Sequence, residues 1–333
     1  MPLKSQLRRS SAAICTAVAA IFLMAAAVGS HGPITIEPPD GAWTTKLDAG
    51  IAAVRKPNAP ALLMFSASWC PDCKRMKKNV LNTPQVQQNL KKWDLIYVDN
   101  DTYLNISIEY QARYLPTVAM LDAQGLEMIR FFDDVTPEEF IALSDDMLAR
   151  GAALEKLAAE LKKNPGDAGR LKAYADAQAE LGLMMLKVDP RILKPMPARL
   201  DAALDGYKRA QAAGDKSPET AADIEFIEAV NTALKGNIEQ AAGPLAAFET
   251  KYPQNPHAAD AMFWRAVLVR VQQVALTRTV TRAKAPRMAI DLEPLRGMFQ
   301  SYLDRYPNGR YAGAARKIVK TLAEEQAKSA AKK

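Results

Sequence analysis

The sequence predicts two unlike halves in series: an α/β domain built on a mixed sheet, then an all-α domain of stacked helices. Three observations carry this. Strand and helix patterns alternate from Trp43 to Met147, strands stop after Arg150, and proline-containing turns then recur between helical stretches. A length of 333 residues suits two domains.

Residues 1 to about 30 read as an export signal. Lys4, Arg8 and Arg9 precede an uncharged run from Ser10 to Val28, and small residues follow around Ala25-Ala26-Ala27 and Val28-Gly29-Ser30. The apolar core, Ala12 to Val28, has 17 residues and is marginal for spanning a bilayer. Contact with a membrane is therefore expected only if the signal stays uncut. The formal charge of +7 falls to +4 once the three basic residues of the signal are removed. No aromatic-interleaved basic stripe accompanies that charge, so no nucleic-acid partner is expected. The predicted plan is a signal over 1–30, an extended proline-rich leader over 31–41, the α/β domain over 42–150, the helical domain over 151–328 and a charged tail over 329–333. The expected location is the periplasm or another exported compartment.

Within the α/β half, Thr44 to Arg55 has a helical pattern and Ala61 to Ser66 is a short buried-strand run. Cys70 to Asn82 is expected to be a helix, Asp94 to Val98 a strand and Leu104 to Tyr114 a helix. Thr117 to Leu121 and Leu126 to Phe132 read as strands joined across Asp122-Ala123-Gln124-Gly125. Thr136-Pro137-Glu138-Glu139 then opens a helix, with a capping threonine, proline at the first position and glutamate at the third.

In the helical half, four turns contain Pro165, Pro218, Pro253 and Pro307, spaced by 53, 35 and 54 residues. The middle spacing matches one helix-pair repeat, and the longer ones match a repeat plus an insertion. The insertions are placed at Met185 to Pro197 and Thr277 to Arg287. Phe248-x₃-Tyr252-Pro253 aligns with Tyr302-x₃-Tyr306-Pro307, and Ala258 and Ala261 align with Ala312 and Ala315. These units resemble tetratricopeptide repeats in degenerate form, which implies a concave surface for a partner protein. Met184, Met185 and Met196 are expected to fill core rather than bind a soft metal.

The chemistry sits in Trp69-Cys70-Pro71-Asp72-Cys73-Lys74. Cys15 lies in the removable segment, so Cys70 and Cys73 are the only thiols an exported chain keeps. A Cys-x-x-Cys opening a helix puts Cys70 where unpaired N–H groups and the helix dipole favour a thiolate. Cys73, one turn later, is placed to resolve a mixed disulfide at Cys70. A zinc site lacks ligands, since only His31 and His257 remain. A static disulfide or a redox-inactive binding fold stay open as alternatives.

Phe65 to Lys74, with Tyr114-Leu115-Pro116-Thr117 and Asp122-Ala123-Gln124-Gly125, resembles a thioredoxin-fold domain. The similarity is greatest to the periplasmic branch that includes the C-terminal domain of the membrane thiol:disulfide interchange reductase. The resemblance implies a thioredoxin-like α/β fold, catalytic Cys70 and Cys73, and Pro116 as a cis-proline facing them. It also implies that Leu115 offers backbone groups to a substrate and that Trp69 shields the rim. Trp69, Pro71, Asp72, Lys74, Leu115, Pro116 and Thr117 are accordingly the expected substrate-binding or modulating residues. Many thioredoxins carry a buried acid six residues before the first cysteine; here Met64 stands there.

Asp72 should oppose thiolate formation at Cys70, with Lys74 partly offsetting it, which tilts the pair toward a reductant. The expected function is an exported thiol–disulfide oxidoreductase acting on protein disulfides, with no cofactor beyond the Cys70–Cys73 disulfide. A membrane thiol-reductase would supply electrons, and the helical domain would dock partners. The alternative is a non-enzymatic helical scaffold or holdase chaperone with a vestigial or regulatory thioredoxin-like module.

Overall fold

Continuous β-branched and apolar runs build a four-stranded sheet in the first half. A computed structural model of the chain describes residues 37–132, 135–184, 197–282 and 291–330. The expected signal, most of the leader and 185–196 of the first insertion lie outside them, as do 283–287 of the second insertion, the three residues after it and 331–333 of the tail. The strands are β1 (Ala61–Ser66), β2 (Asp94–Asp99), β3 (Thr117–Leu121) and β4 (Glu127–Phe131), in spatial order β2-β1-β3-β4. β1 runs parallel to β2 and antiparallel to β3, and β4 is antiparallel to β3 with a register shift at Met120/Leu121. Ala61, Leu63, Phe65, Ile96, Val98, Ala119 and Leu121 share one buried face with Leu47, Ile51 and Ile106. This is the two-residue alternation of a pleated strand.

Short helices flank the sheet: α1 (Ile51–Val54), α2 (Pro71–Met76), α3 (Pro84–Leu90) and α4 (Leu104–Glu109). α2 passes into a π-helical turn over Lys77–Leu81. Two expectations need correction. Thr44 to Arg55 is not one helix: Thr44 bridges to Ile96, with its N–H 2.8 Å from the Leu95 carbonyl. Only Ile51–Val54 is helical, after Gly50 at φ +80°. Leu47 and Ile51 both enter the core, so their four-residue spacing imitates a helix face. α4 stops at Glu109 rather than Tyr114, because Gln111 takes φ +51° and the chain turns toward Pro116. The sequence reading assigns no element to Pro84–Leu90, although Thr83-Pro84 is the same kind of start signal as Thr136-Pro137.

α5 (Pro137–Lys163) begins with a complete capping box. Thr136 Oγ1 accepts from the Glu139 N–H at 3.2 Å, and the Thr136 N–H donates to Glu139 Oε2 at 2.8 Å. The helix runs unbroken through 150/151, the expected junction. Trp93 Nε1 donates to Ser144 Oγ at 2.8 Å and Asn89 Nδ2 to Asp145 Oδ1 at 2.8 Å, tying α5 to the sheet layer.

Beyond it lie α6 (Ala168–Met184), α7 (Pro197–Ala212), α8 (Pro218–Leu234), α9 (Ile238–Lys251), α10 (Ala258–Arg282), α11 (Glu293–Arg305) and α12 (Ala312–Ala330). Each packs on the next and they share one core. The four turns found in the sequence fall between helices, and two have matching geometry. The Tyr252 N–H donates to the Phe248 carbonyl and the Tyr306 N–H to the Tyr302 carbonyl, each at 2.8 Å. The aligned alanines 258, 261, 312 and 315 are all buried, as is Met184. α6 also reaches the far end of the array: Glu180 pairs with Arg310 at 2.5 Å, and Tyr311 Oη donates to the Leu183 carbonyl at 3.2 Å. No described helix is long and apolar enough to cross a membrane.

The two halves are joined by a buried charge. Arg199, at the start of α7, has no exposed surface, and Asp122 and Glu127 are nearly as deep. Arg199 Nη2 donates to Asp122 Oδ2 at 2.7 Å and to the Leu126 carbonyl at 2.9 Å. Its Nε donates to the Glu127 carbonyl at 3.0 Å and its Nη1 to Gln178 Oε1 at 2.8 Å. The described residues from Pro38 onward form one compact unit.

Two stability tests follow from these contacts. Thr136→Ala should cost about 1 kcal/mol in urea denaturation, the usual value of a lost N-cap. Glu225 is held below its ordinary 4.5 by Lys251 and Tyr252, and Asp215 below 3.8 by Thr220 and the Ser217 N–H. A carboxyl with a lowered native value stabilises the fold above its unfolded value and loses that contribution as pH falls through the native one. Stability should therefore drop below about pH 4.5, and Glu225→Gln with Asp215→Asn should flatten that drop.

Candidate active site

The redox pair is built by the end of β1 and the start of α2. After Ser66 the chain turns through Ala67-Ser68-Trp69, with the Cys70 N–H donating to the Ala67 carbonyl at 3.1 Å. Cys70 is the N-cap of α2, and its Sγ accepts from the Cys73 N–H at 3.1 Å. A sulfur in that position receives a hydrogen bond and the positive end of the helix together, which favours a thiolate when the pair is reduced. Pro71 occupies the first turn, where its missing N–H costs nothing. Cys70 and Cys73 are joined in a disulfide with Cα atoms 5.3 Å apart.

One neighbouring segment packs on the pair, and the loop after β2 holds Trp69 beside it. The Leu115–Pro116 peptide is cis, and Leu115 packs against Ala67, Cys70 and Cys73. Pro116 is buried, and Thr117 Oγ1 donates to the Tyr114 carbonyl at 2.6 Å. With this cover, Cys70 and Cys73 are only 3% and 2% exposed. Trp69, in contrast, is 66% exposed. Its indole is held by the loop after β2, with Nε1 donating to Asp101 Oδ1 at 2.9 Å. Ser68 Oγ donates to the same carboxylate at 3.3 Å, and Asp99 orders the loop by accepting from the Asp101 N–H at 3.0 Å. Leu104, Ile108 and Tyr114 are the other exposed large apolar side chains of this half.

Asp72 has a partner that the sequence reading did not include: Arg75, one turn along α2, lies 2.8 Å from its carboxylate. Both side chains are solvated, so the pair contributes little to stability. Six residues before Cys70, Met64 lies beside Tyr97 in the parallel register of β1 and β2. Burial pushes the Tyr97 phenol up to about 12, helped by the Asp99 charge and opposed by a hydrogen bond with Ser66. The position of a buried acid is thus taken by a thioether beside a neutral phenol. Among the described residues no three side chains group as a metal site.

Asp101, Tyr97 and Arg199 are missing from the sequence-derived site. The Asp-Asn-Asp-Thr run after β2 carried a signal for Asp101, since such runs order their own turns. Nothing local marked Tyr97 or Arg199.

Residues 42–123 match the family model described as thioredoxin-like. This stretch is a thioredoxin-like domain. Among solved structures, a thioredoxin from Thermus thermophilus matches at 22% identity and TM-score 0.27, over 28% of this chain and 78% of that one. The oxidised C-terminal domain of DsbD from Neisseria meningitidis matches at 24% identity and TM-score 0.24, over 27% of this chain and 81% of that one. A DsbH oxidoreductase matches at 14% identity and TM-score 0.28, over 36% of this chain and 95% of that one. No curated protein matches the chain.

The Trp69–Asp101 contact has a direct optical test. Trp69 is the exposed indole beside the disulfide, whereas Trp43, Trp93 and Trp264 are buried. Reduction should change tryptophan emission, Trp69→Phe should remove most of that change, and Asp101→Ala should alter its size by freeing the indole. A reduction signal that survives Trp69→Phe would place the reporter elsewhere.

Proposed function

We propose that the chain is an exported thiol–disulfide oxidoreductase that reduces protein disulfides through Cys70 and Cys73. The observation that carries this is the Cys70–Cys73 disulfide at the N-terminus of α2, covered by the Leu115–Pro116 loop. In the reduced state the Cys70 thiolate attacks one sulfur of a substrate disulfide, forming a mixed disulfide and releasing one substrate thiolate. Cys73, deprotonated, then attacks Cys70 Sγ, which re-forms the internal disulfide and releases the second thiolate. Two electrons and two protons pass to the substrate. A membrane thiol-reductase is the proposed donor that restores the dithiol.

Two features support the reducing direction. Asp72 in the first turn of α2 opposes thiolate formation, although Arg75 reduces its effect. Burial of the disulfide under Leu115 favours the oxidised form of this pair, and covered disulfides have lower potentials than exposed ones. Trp69, Leu115 and Thr117 are the proposed substrate contacts around the sulfurs. The helical half, read as tetratricopeptide-like, is proposed to dock the partner. A shallow surface cleft of about 280 Å³ lies between the start of α8 and the α9–α10 turn, lined by Pro218, Ala222, Tyr252 and Asn255.

Cys73→Ala should accumulate mixed disulfides through Cys70, seen as dithiothreitol-sensitive bands, and Cys70→Ser should abolish them. Absence of any trapped partner, with Cys70→Ser leaving cells unaffected, would favour a scaffold in which the pair is idle. A reduction potential near ~−270 mV fits the reductant, and one near ~−120 mV reverses the direction.

A further inference from the structure

We propose that Arg199, carried by the helical half, is a positioning residue for the redox disulfide. It fixes the hairpin and loop that hold Leu115 over Cys70 and Cys73. The inference builds on the reading of the two cysteines as the reactive pair but requires no protein substrate.

Two covalent and hydrogen-bonded routes lead from Arg199 to the cover. The first runs along β3. Arg199 binds the Asp122 carboxylate at 2.7 Å, one residue past the end of a strand whose first residue, Thr117, follows the cis Leu115–Pro116 peptide. The second crosses the sheet. Arg199 Nε holds the Glu127 carbonyl at 3.0 Å. The Glu127 carboxylate in turn receives Arg130 Nε at 2.5 Å and Nη2 at 2.6 Å. Arg130 Nη1 then reaches the Gln111 carbonyl at 3.4 Å. Gln111, at φ +51°, starts the loop that ends at Leu115.

Asp122, Thr117, Glu127 and Arg130 are buried, so solvent cannot replace a lost partner at those links; only the last link of the second route, at Gln111, lies at the surface. Arg55 grips the same turn from the opposite side, with Nη2 2.8 Å from the Ala123 carbonyl and 3.2 Å from that of Asp122. The turn therefore keeps an anchor in its own half when Arg199 is changed, while its tie to the helical half is lost. Cys70 and Cys73 are almost wholly covered and Leu115 packs against their cluster, so in this proposal a thiolate reaches either sulfur by displacing Leu115. The stiffness of that cover sets the rate of attack, and Arg199 sets part of the stiffness.

The test uses the full chain and dithiothreitol as the attacking thiol. Arg199→Lys keeps the charge but cannot reproduce a fork that engages four acceptors. It should speed reduction of the disulfide about tenfold, the factor for a cover that opens ~1.4 kcal/mol more readily. Amide exchange should rise from Ala112 to Thr117, and the potential should move to less negative values. Gln178→Leu removes one acceptor of Arg199 and lies wholly in the helical half. It should shift all three readouts in the same direction by less, and it decides the matter if the Arg199 variant does not fold. Wild-type reduction rate, potential and exchange in a folded variant whose melting temperature has dropped would show a structural clamp only and overturn the proposal. Because dithiothreitol is the reagent, failure to trap protein partners leaves this result unaffected.

Discussion

A guanidinium without solvent must have its donors matched within the protein, and Arg199 meets that requirement only by spanning the two halves of the chain. Its acceptors are two carbonyls and a carboxylate of the β3–β4 hairpin and an amide of α6. Removing Asp122 leaves an uncompensated buried charge and removing a neutral acceptor leaves an unpaired donor, so the halves cannot separate without exposing or orphaning the guanidinium. The close approach of α6 and α7 makes this possible. At Gly182 a Cβ would stand 2.6 Å from Leu200 Cδ2 and 3.2 Å from Arg199 Cβ, so a larger residue would make the Leu200 side chain shift and crowd the start of α7. Arg199 then projects to the hairpin, and α5 continues from one layer into the other with no hinge between them.

That joint shapes the chemistry at the other end of the sheet. An internal disulfide is useful in exchange only if its sulfurs can be reached, yet here both are covered by Leu115. The cover rests on a strand, β3, and a loop that the buried charges hold. Trp69 is arranged oppositely: it stands in solvent and is kept in place by a single carboxylate on a loop. The site thus combines an exposed ring, held by a surface hydrogen bond, with a shielded sulfur pair packed into the core.

The strands were legible because their signals are local. Ala61–Ser66 and Thr117–Leu121 are continuous apolar runs, and the capped start of α5 is written in four consecutive residues. Cys70 at a helix start and the proline opposite it could likewise be read from spacing and resemblance. Errors arose where tertiary contact overrode periodicity. Thr44 joined the sheet edge although the residues after it recur at helical spacing, and Gln111 ended α4 because the loop must turn toward Pro116. Arg199 could not be read at all. Its importance comes from meeting Asp122 across 77 residues, and a lone arginine at a helix start reads as a solvated charge.

Met64 beside Tyr97 bears on how the second half of the exchange handles its proton. A phenol raised to about 12 stays neutral and cannot serve as a base for Cys73 at ordinary pH. In the proposed cycle, however, resolution creates a substrate thiolate as it consumes the Cys73 thiol. The proton lost by one sulfur is the proton gained by the other. A fixed internal base accelerates that transfer by holding the proton in between, but the overall balance does not require one. Without it, the transfer runs through the substrate thiolate or water at the opened site. In the proposed cycle Leu115, which packs on both cysteines, is already displaced once the mixed disulfide has formed, so Cys73 loses its proton to groups that enter with the substrate.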